Sequence, residues 1–244
     1  MIINPSDTLF TGVTGTTGAN GLNGATGPTG PTGDSIFASY NYFLYDDFRH
    51  GLYTNTGYII SSNPYAYLVG NTTATTSTTS SGLNCTISQT SGSTNSIQMF
   101  RYDTLATSGA VNWMMNATGI DNGTVAHFFY GMSETNNISA LVDNMIGFYF
   151  TSGISYWACI TRKAGTETRT TTTVAMDNTT SRTLKIVINS AFSSVTFYID
   201  GTLVATHTTN IPTVALRSLS ILASKSYNAS YTYHIRWLKV TQET

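Results

Sequence analysis

The chain has 244 residues, of which 41% are hydrophobic and 9% charged, with 11 Lys and Arg against 12 Asp and Glu for a net charge of −1. An average soluble protein carries about 25% charged residues, so this surface is polar through Thr, Ser and Asn rather than through charge. No basic cluster could neutralise a run of phosphates, which excludes nucleic acid as a partner, and no apolar run approaches the ~20 residues of a membrane-spanning helix.

Residues 1–11 hold a small apolar set, Ile2, Ile3, Leu9 and Phe10, in an otherwise polar peptide. They are read as an anchor that docks into a larger particle, beside the alternative of a disordered terminus. No basic region precedes an apolar core here, so the segment is not read as a secretory signal peptide. The expected way out of the cell is another export route or lysis.

Residues 12–35 repeat with period three: Gly12, Gly15, Gly18, Gly21, Gly24, Gly27, Gly30 and Gly33. Strict Gly-X-Y spacing is the pattern of the collagen triple helix, because only glycine fits where three polyproline-II-like chains meet at the axis. A flexible Gly/Thr linker needs no such period. The tract therefore predicts three chains and a thin stalk, roughly 70 Å long at ~3 Å per residue. Its triplets hold only two prolines, Pro28 and Pro31. So short and proline-poor a triple helix is marginal alone, and trimerisation is expected to depend on the domain that follows.

From Ile36 onward, strand patterns dominate, and residues 36–244 are read as one β-sandwich head. Ile36–Leu44 is aromatic and apolar; Leu68–Ser81 is Thr/Ser-rich and reads as a loop or a solvated edge. Ser96–Tyr102, Ala110–Asn116, Thr124–Met132, Asn144–Phe150 and Ile154–Arg162 look like strands separated by Gly, Asn and Asp turns. Alternation is clearest late in the chain. Leu184, Ile186 and Ile188 share one face, as do Val195, Phe197 and Ile199, after which Asp200-Gly201 supplies a type I′ hairpin turn and Leu203–His207 returns. Ser218–Ala223 and Tyr231–Val240 complete an all-β set. Cys85 and Cys159 each lie in an apolar, strand-like stretch and read as buried free thiols, with one bridge between them as the lesser alternative.

The run Leu184-Lys-Ile-Val-Ile-Asn189 followed by Val195-Thr-Phe-Tyr-Ile-Asp-Gly201 resembles the concanavalin A-like (laminin G-like) sandwich, in which a strand precedes a V-x-F-Y-I-(D/N)-G hairpin. Ile146-Gly-Phe-Tyr-Phe150 and Tyr156-Trp-Ala-Cys-Ile160 are similar to the preceding strand pair. The wording is also similar to head domains of bacteriophage fibre and tail proteins. Spore-coat filaments of bacilli have a similar stalk with a different head. The resemblance implies an antiparallel jelly roll on a collagen-like stalk, with the closing strand Tyr231–Val240 beside the N-terminal one.

Sandwiches of this class include glycan hydrolases, which need two carboxyl groups at close range. Glu134, Glu167 and Glu243 each lack an acidic residue two to four positions away, Asp46 and Asp47 would point to opposite faces, and His50, His127, His207 and His234 are scattered. No catalytic residue is assigned and the chain is expected not to be an enzyme. No cofactor is implied; calcium stays open through the oxygen-rich turns Asp121-Asn122-Gly123 and Asp143-Asn144, whose composition tight turns also favour. Glycan binding would use aromatics with nearby polar groups, and the candidates are Tyr156, Trp157, Arg162 and Trp113. Of the first two, one must face away from the other, and Trp157 beside Cys159 reads more readily as core. The expectation is a homotrimeric fibre on the virion surface, joined to a capsid or tail component by its N-terminus and attaching to a host cell-surface glycan. The alternative is a purely structural decoration or a spore- or cell-surface coat filament.

Overall fold

The computed structural model describes residues 40–46, 65–69, 74–79, 82–87, 95–101, 104–119, 125–135, 142–151, 155–177, 179–225 and 231–243. The anchor peptide, the Gly-X-Y tract and the Asp121-Asn122-Gly123 turn lie outside the described residues. In chain order the strands are β1 (Tyr40–Asp46), β2 (Tyr65–Val69), β3 (Ala74–Thr79), β4 (Gly82–Ile87), β5 (Asn95–Arg101), β6 (Thr104–Leu105), β7 (Val111–Thr118) and β8 (Val125–Ser133). They continue with β9 (Met145–Thr151), β10 (Tyr156–Lys163), β11 (Thr166–Ala175), β12 (Ser181–Ile188), β13 (Val195–Ile199), β14 (Thr202–His207), β15 (Leu216–Lys225) and β16 (Tyr231–Glu243).

These strands form two eight-stranded antiparallel sheets. Sheet I runs β14-β13-β12-β7-β16-β4-β3, with β1 also paired to β16; sheet II runs β11-β10-β9-β8-β15-β5-β2, with β6 also paired to β15. The closing strand does pair with the N-terminal one, Leu44 opposite Val240. The Thr-rich stretch Ala74–Thr79 is a strand, the last of sheet I beside β4 among the described residues.

Period-two alternation decides which side chains enter the core. Val111, Trp113, Met115 and Ala117 of β7 point inward beside Leu184, Ile186 and Ile188 of β12 and Val195, Phe197 and Ile199 of β13. In β16 the buried set changes parity, from Tyr233 and Ile235 to Leu238 and Val240. A bulge between Ile235 and Trp237 supplies the extra residue, which is how a strand re-aims its side chains midway. Sheet II contributes Phe128, Tyr130, Phe148, Phe150 and Trp157. Edge-to-face pairs tie the layers together: Phe148 lies 5.6 Å from Phe197, and Phe128 5.5 Å from Tyr233, between ring centroids. Such pairs contribute about 0.5–1.5 kcal/mol beyond their buried area. Cys159 is a free, buried thiol within this core, and burial pushes its pKa well above the usual thiol range.

The registers give the sandwich two distinct ends. Tyr40 pairs with Glu243, Gln242 with Val111, Val111 with Ile188, Ile188 with Val195 and Val195 with His207. These residues line the proximal end, where the chain comes in from its N-terminal tract. In sheet II, Ser133, Met145, Arg162 and Glu167 form a rung, placed at the same end by the hydrogen bond between His207 and Thr161. Thr118, Ser181 and the Asp200-Gly201 turn mark the distal end of sheet I. Tyr156 and Ala175 mark that of sheet II, Met176 N–H donating to the Ser155 carbonyl at 2.9 Å.

Candidate functional site

Strand β10 is buried on both faces from Trp157 to Thr161, because sheet II carries apolar side chains outward as well as inward. Phe129, Val142, Met145, Tyr149 and Ile160 form a second apolar cluster on the outward face. Gly131 and Gly147, directly opposed, make room for it: a Cβ on Gly147 would come within 2.3 Å of the Phe129 ring and 2.4 Å of the Tyr130 carbonyl oxygen. Over this floor the Arg169 guanidinium stacks on the Tyr149 ring, 4.7 Å from its centroid. Glu167 holds Arg169 at 2.9 Å and reaches Arg162 at 3.7 Å. The segment before β9 is strapped to the same end: Glu134 accepts from Asn144 Nδ2 at 2.7 Å, Asn144 Oδ1 accepts from Ala164 N–H, and the Asp143 carbonyl accepts from Gly165 N–H. Ala164 and Gly165, both at positive φ, make the tight β10–β11 turn that permits this.

Of the residues singled out in the sequence, two are corrected by burial. Trp113 and Trp157 are fully enclosed core side chains, packed by the alternation of β7 and β10, so neither ring can stack on a sugar. Tyr156 is 45% exposed at the distal end. Arg162 sits six residues further along β10, about 20 Å away at strand rise, in the proximal ion-pair rung. The candidate quartet is therefore not one site: Tyr156 stands at one end of the face and Arg162 at the other. The sequence reading missed Tyr149, Glu167 and Arg169, which come together only through strand pairing.

In the Asp143-Asn144 turn, the Asp143 backbone carbonyl and the Asn144 side-chain oxygen accept from the β10–β11 turn. Among the described residues, no group of three His, Cys, Asp or Glu side chains is arranged to hold a metal.

One buried histidine links the layers. His207 of β14 places Nδ1 3.0 Å from Thr161 Oγ1 and Nε2 3.0 Å from Thr170 Oγ1, on β10 and β11. Thr161 donates its only hydroxyl hydrogen to the Thr209 carbonyl at 3.0 Å. It must then accept from Nδ1–H, and in the neutral ring that burial favours Nε2 accepts from Thr170. The ring is thus a neutral Nδ1–H tautomer that joins the edge of sheet I to the edge of sheet II. Burial lowers its pKa below the ordinary histidine value.

No protein-family model and no curated protein sequence matches the chain. Solved structures share its fold. A Bacillus licheniformis β-glucanase aligns with TM-score 0.57 and 16% identity, over 82% of this chain and 98% of that one. A Crh5 transglycosylase solved in complex with NAG aligns with TM-score 0.58 and 15% identity, over 84% and 86%. A β-1,3-1,4-glucanase (lichenase) from a mouse hindgut metagenome aligns with TM-score 0.59 and 10% identity, over 83% and 99%. The described residues therefore form a concanavalin A-like jelly-roll sandwich. The expectation that the chain is not an enzyme is overturned by these likenesses: the fold is one that glucanases and transglycosylases use. The scarcity of closely spaced carboxylates in the sequence is no ground for excluding glycosidic-bond chemistry, because a fold gathers side chains from several strands.

Proposed function

We propose that this chain is a glycan-recognising jelly-roll head, carried on a collagen-like trimeric stalk and displayed on the surface of a virion. The observation that carries the reading is the polarity of the sandwich. The chain comes in at the proximal end through β1, and Tyr156 is exposed at the distal end, the end a stalk would hold outward. The glycan-directed names of the proteins that share the fold support a carbohydrate as ligand. Three heads on one stalk would turn weak single contacts into firm attachment through effective concentration, and the sparsely charged surface suits binding that salt does not weaken. The peptide before Gly12 is the proposed joint to the particle.

A second reading, transfer or hydrolysis of a glycosidic bond, is favoured by the same neighbours. Its carboxylates would be Glu134, Asp143 and Glu167 at the proximal end of the outward face of sheet II. One experiment separates the readings: the full chain is incubated with an array of glycans, and both retention and release of new reducing ends are measured. Retention without release supports the head as a receptor binder; release that Glu167→Gln abolishes supports the enzyme. Neither retention nor release on any glycan would overturn both.

A further inference from the structure

The way the chain enters the sandwich bears on how copies meet. From Gly33, the last repeat glycine, to Tyr40, the first residue of β1, there are seven residues. Fully extended they span at most about 25 Å. If the Gly-X-Y tract forms a triple helix, every head is tethered by the proximal end of β1 to within that distance of one threefold axis. Among the described residues, β1 pairs only with β16 and lies on the flank of sheet I. Leu44 turns inward, whereas Tyr45 turns outward and is 43% exposed.

Tyr45 does not stand alone. Its partner across the ladder is Lys239, Lys239 lies opposite Met114, and Met114 opposite Lys185. This rung of the outward face of sheet I continues to Tyr198, whose ring lies 5.4 Å from the Lys185 ammonium. Half-buried Trp237, opposite Asn116, stands on the same face two residues before Lys239. Aromatic and methionine side chains are the ones protein contact surfaces favour, and the apolar stems of Lys239 and Lys185 extend that area while their ammonium groups reach water.

We infer that the outward face of sheet I beside β1, centred on Tyr45, Met114 and Trp237, is the surface through which three copies of this chain pack. The inference rests on the trimeric-stalk reading above and adds the face that each head turns to the axis. Closed threefold packing sets one patch against a different patch of the next copy, so Tyr45 meets a neighbour without needing a matching Tyr45. It also leaves Tyr156, on the other sheet and at the other end, free to meet a ligand.

The test uses the full chain. Sedimentation equilibrium gives the mass of the wild type and of the double variant Tyr45→Arg/Met114→Arg, which adds positive charge next to Lys239 and Lys185. In parallel, a photoreactive benzoylphenylalanine replaces Tyr45 in one sample and Thr173, on the far edge of sheet II, in another. The inference expects a trimeric wild type, a trimer dissociation midpoint raised at least tenfold in the double variant, and cross-links between copies from position 45 but not 173. A trimeric wild type with cross-links from 173 alone overturns the proposed face and leaves the trimeric stalk standing. A monomeric wild type overturns both. Should the double variant fail to fold by circular dichroism, the cross-linking pair decides.

Discussion

The hydrogen-bond chain through His207 has a direct thermodynamic consequence. In the unfolded chain an imidazole takes up its proton near the ordinary value of 6.5, whereas burial delays that uptake in the folded protein. Below pH ~6.5 the unfolded state binds more protons, so stability is full above that value and falls as pH drops toward the lowered folded pKa. Urea unfolding midpoints measured from pH 8 to 5 should decline below about 6.5. His207→Gln should flatten that part of the profile while lowering stability at pH 8, since one end of the Thr161–Thr170 bridge is lost. Trp157 answers to a different cause. Its indole packs 6.1 Å from Tyr130 and 6.2 Å from Phe148, between centroids. Trp157→Ala should cost about 3–5 kcal/mol in equilibrium unfolding through lost burial and the cavity left behind. Tyr156→Ala, one residue away and facing water, should change stability by no more than about 0.5 kcal/mol.

At the scale of elements, the paired glycines of β8 and β9 are sharply constrained. A Cβ on Gly131 would lie 2.2 Å from the Ile146 carbonyl oxygen, and one on Gly147 2.4 Å from that of Tyr130. These obstacles are backbone atoms that cannot rotate aside. Gly147→Ala is expected to lower the thermal midpoint through overpacking of about 1–3 kcal/mol, with loss of the Phe129 seat visible in near-ultraviolet circular dichroism. Most of the strands were legible in the sequence wherever one face is wet and the other dry: Leu184, Ile186 and Ile188, then Val195, Phe197 and Ile199, announce β12 and β13 by alternation alone. Strand β11 was not, because Thr occupies both faces of an edge strand in which few side chains are buried. The site was less legible than the fold. Tyr156 and Arg162 were grouped as near neighbours in one strand-like stretch, but six residues of strand rise keep them apart. Tyr149, Glu167 and Arg169 meet through the register of β9, β10 and β11, which no single stretch of sequence contains.

For the whole molecule, polarity organises the proposal. The start of β1 at Tyr40 and the end of β16 at Glu243 share the proximal end, and the Arg162–Glu167–Arg169 ion pairs are there too; Tyr156 and the Asp200-Gly201 turn lie at the other end. A stalk-borne head is expected to use its distal end for recognition, with the number of heads multiplying affinity. The most direct measurement is retention of the full chain on an immobilised glycan identified by the array, for wild type, Tyr156→Ala and Arg162→Ala side by side. Retention that falls at least tenfold for Tyr156→Ala and stays near wild type for Arg162→Ala is the predicted result. Loss with Arg162→Ala and none with Tyr156→Ala would contradict it and move the ligand to the proximal rung.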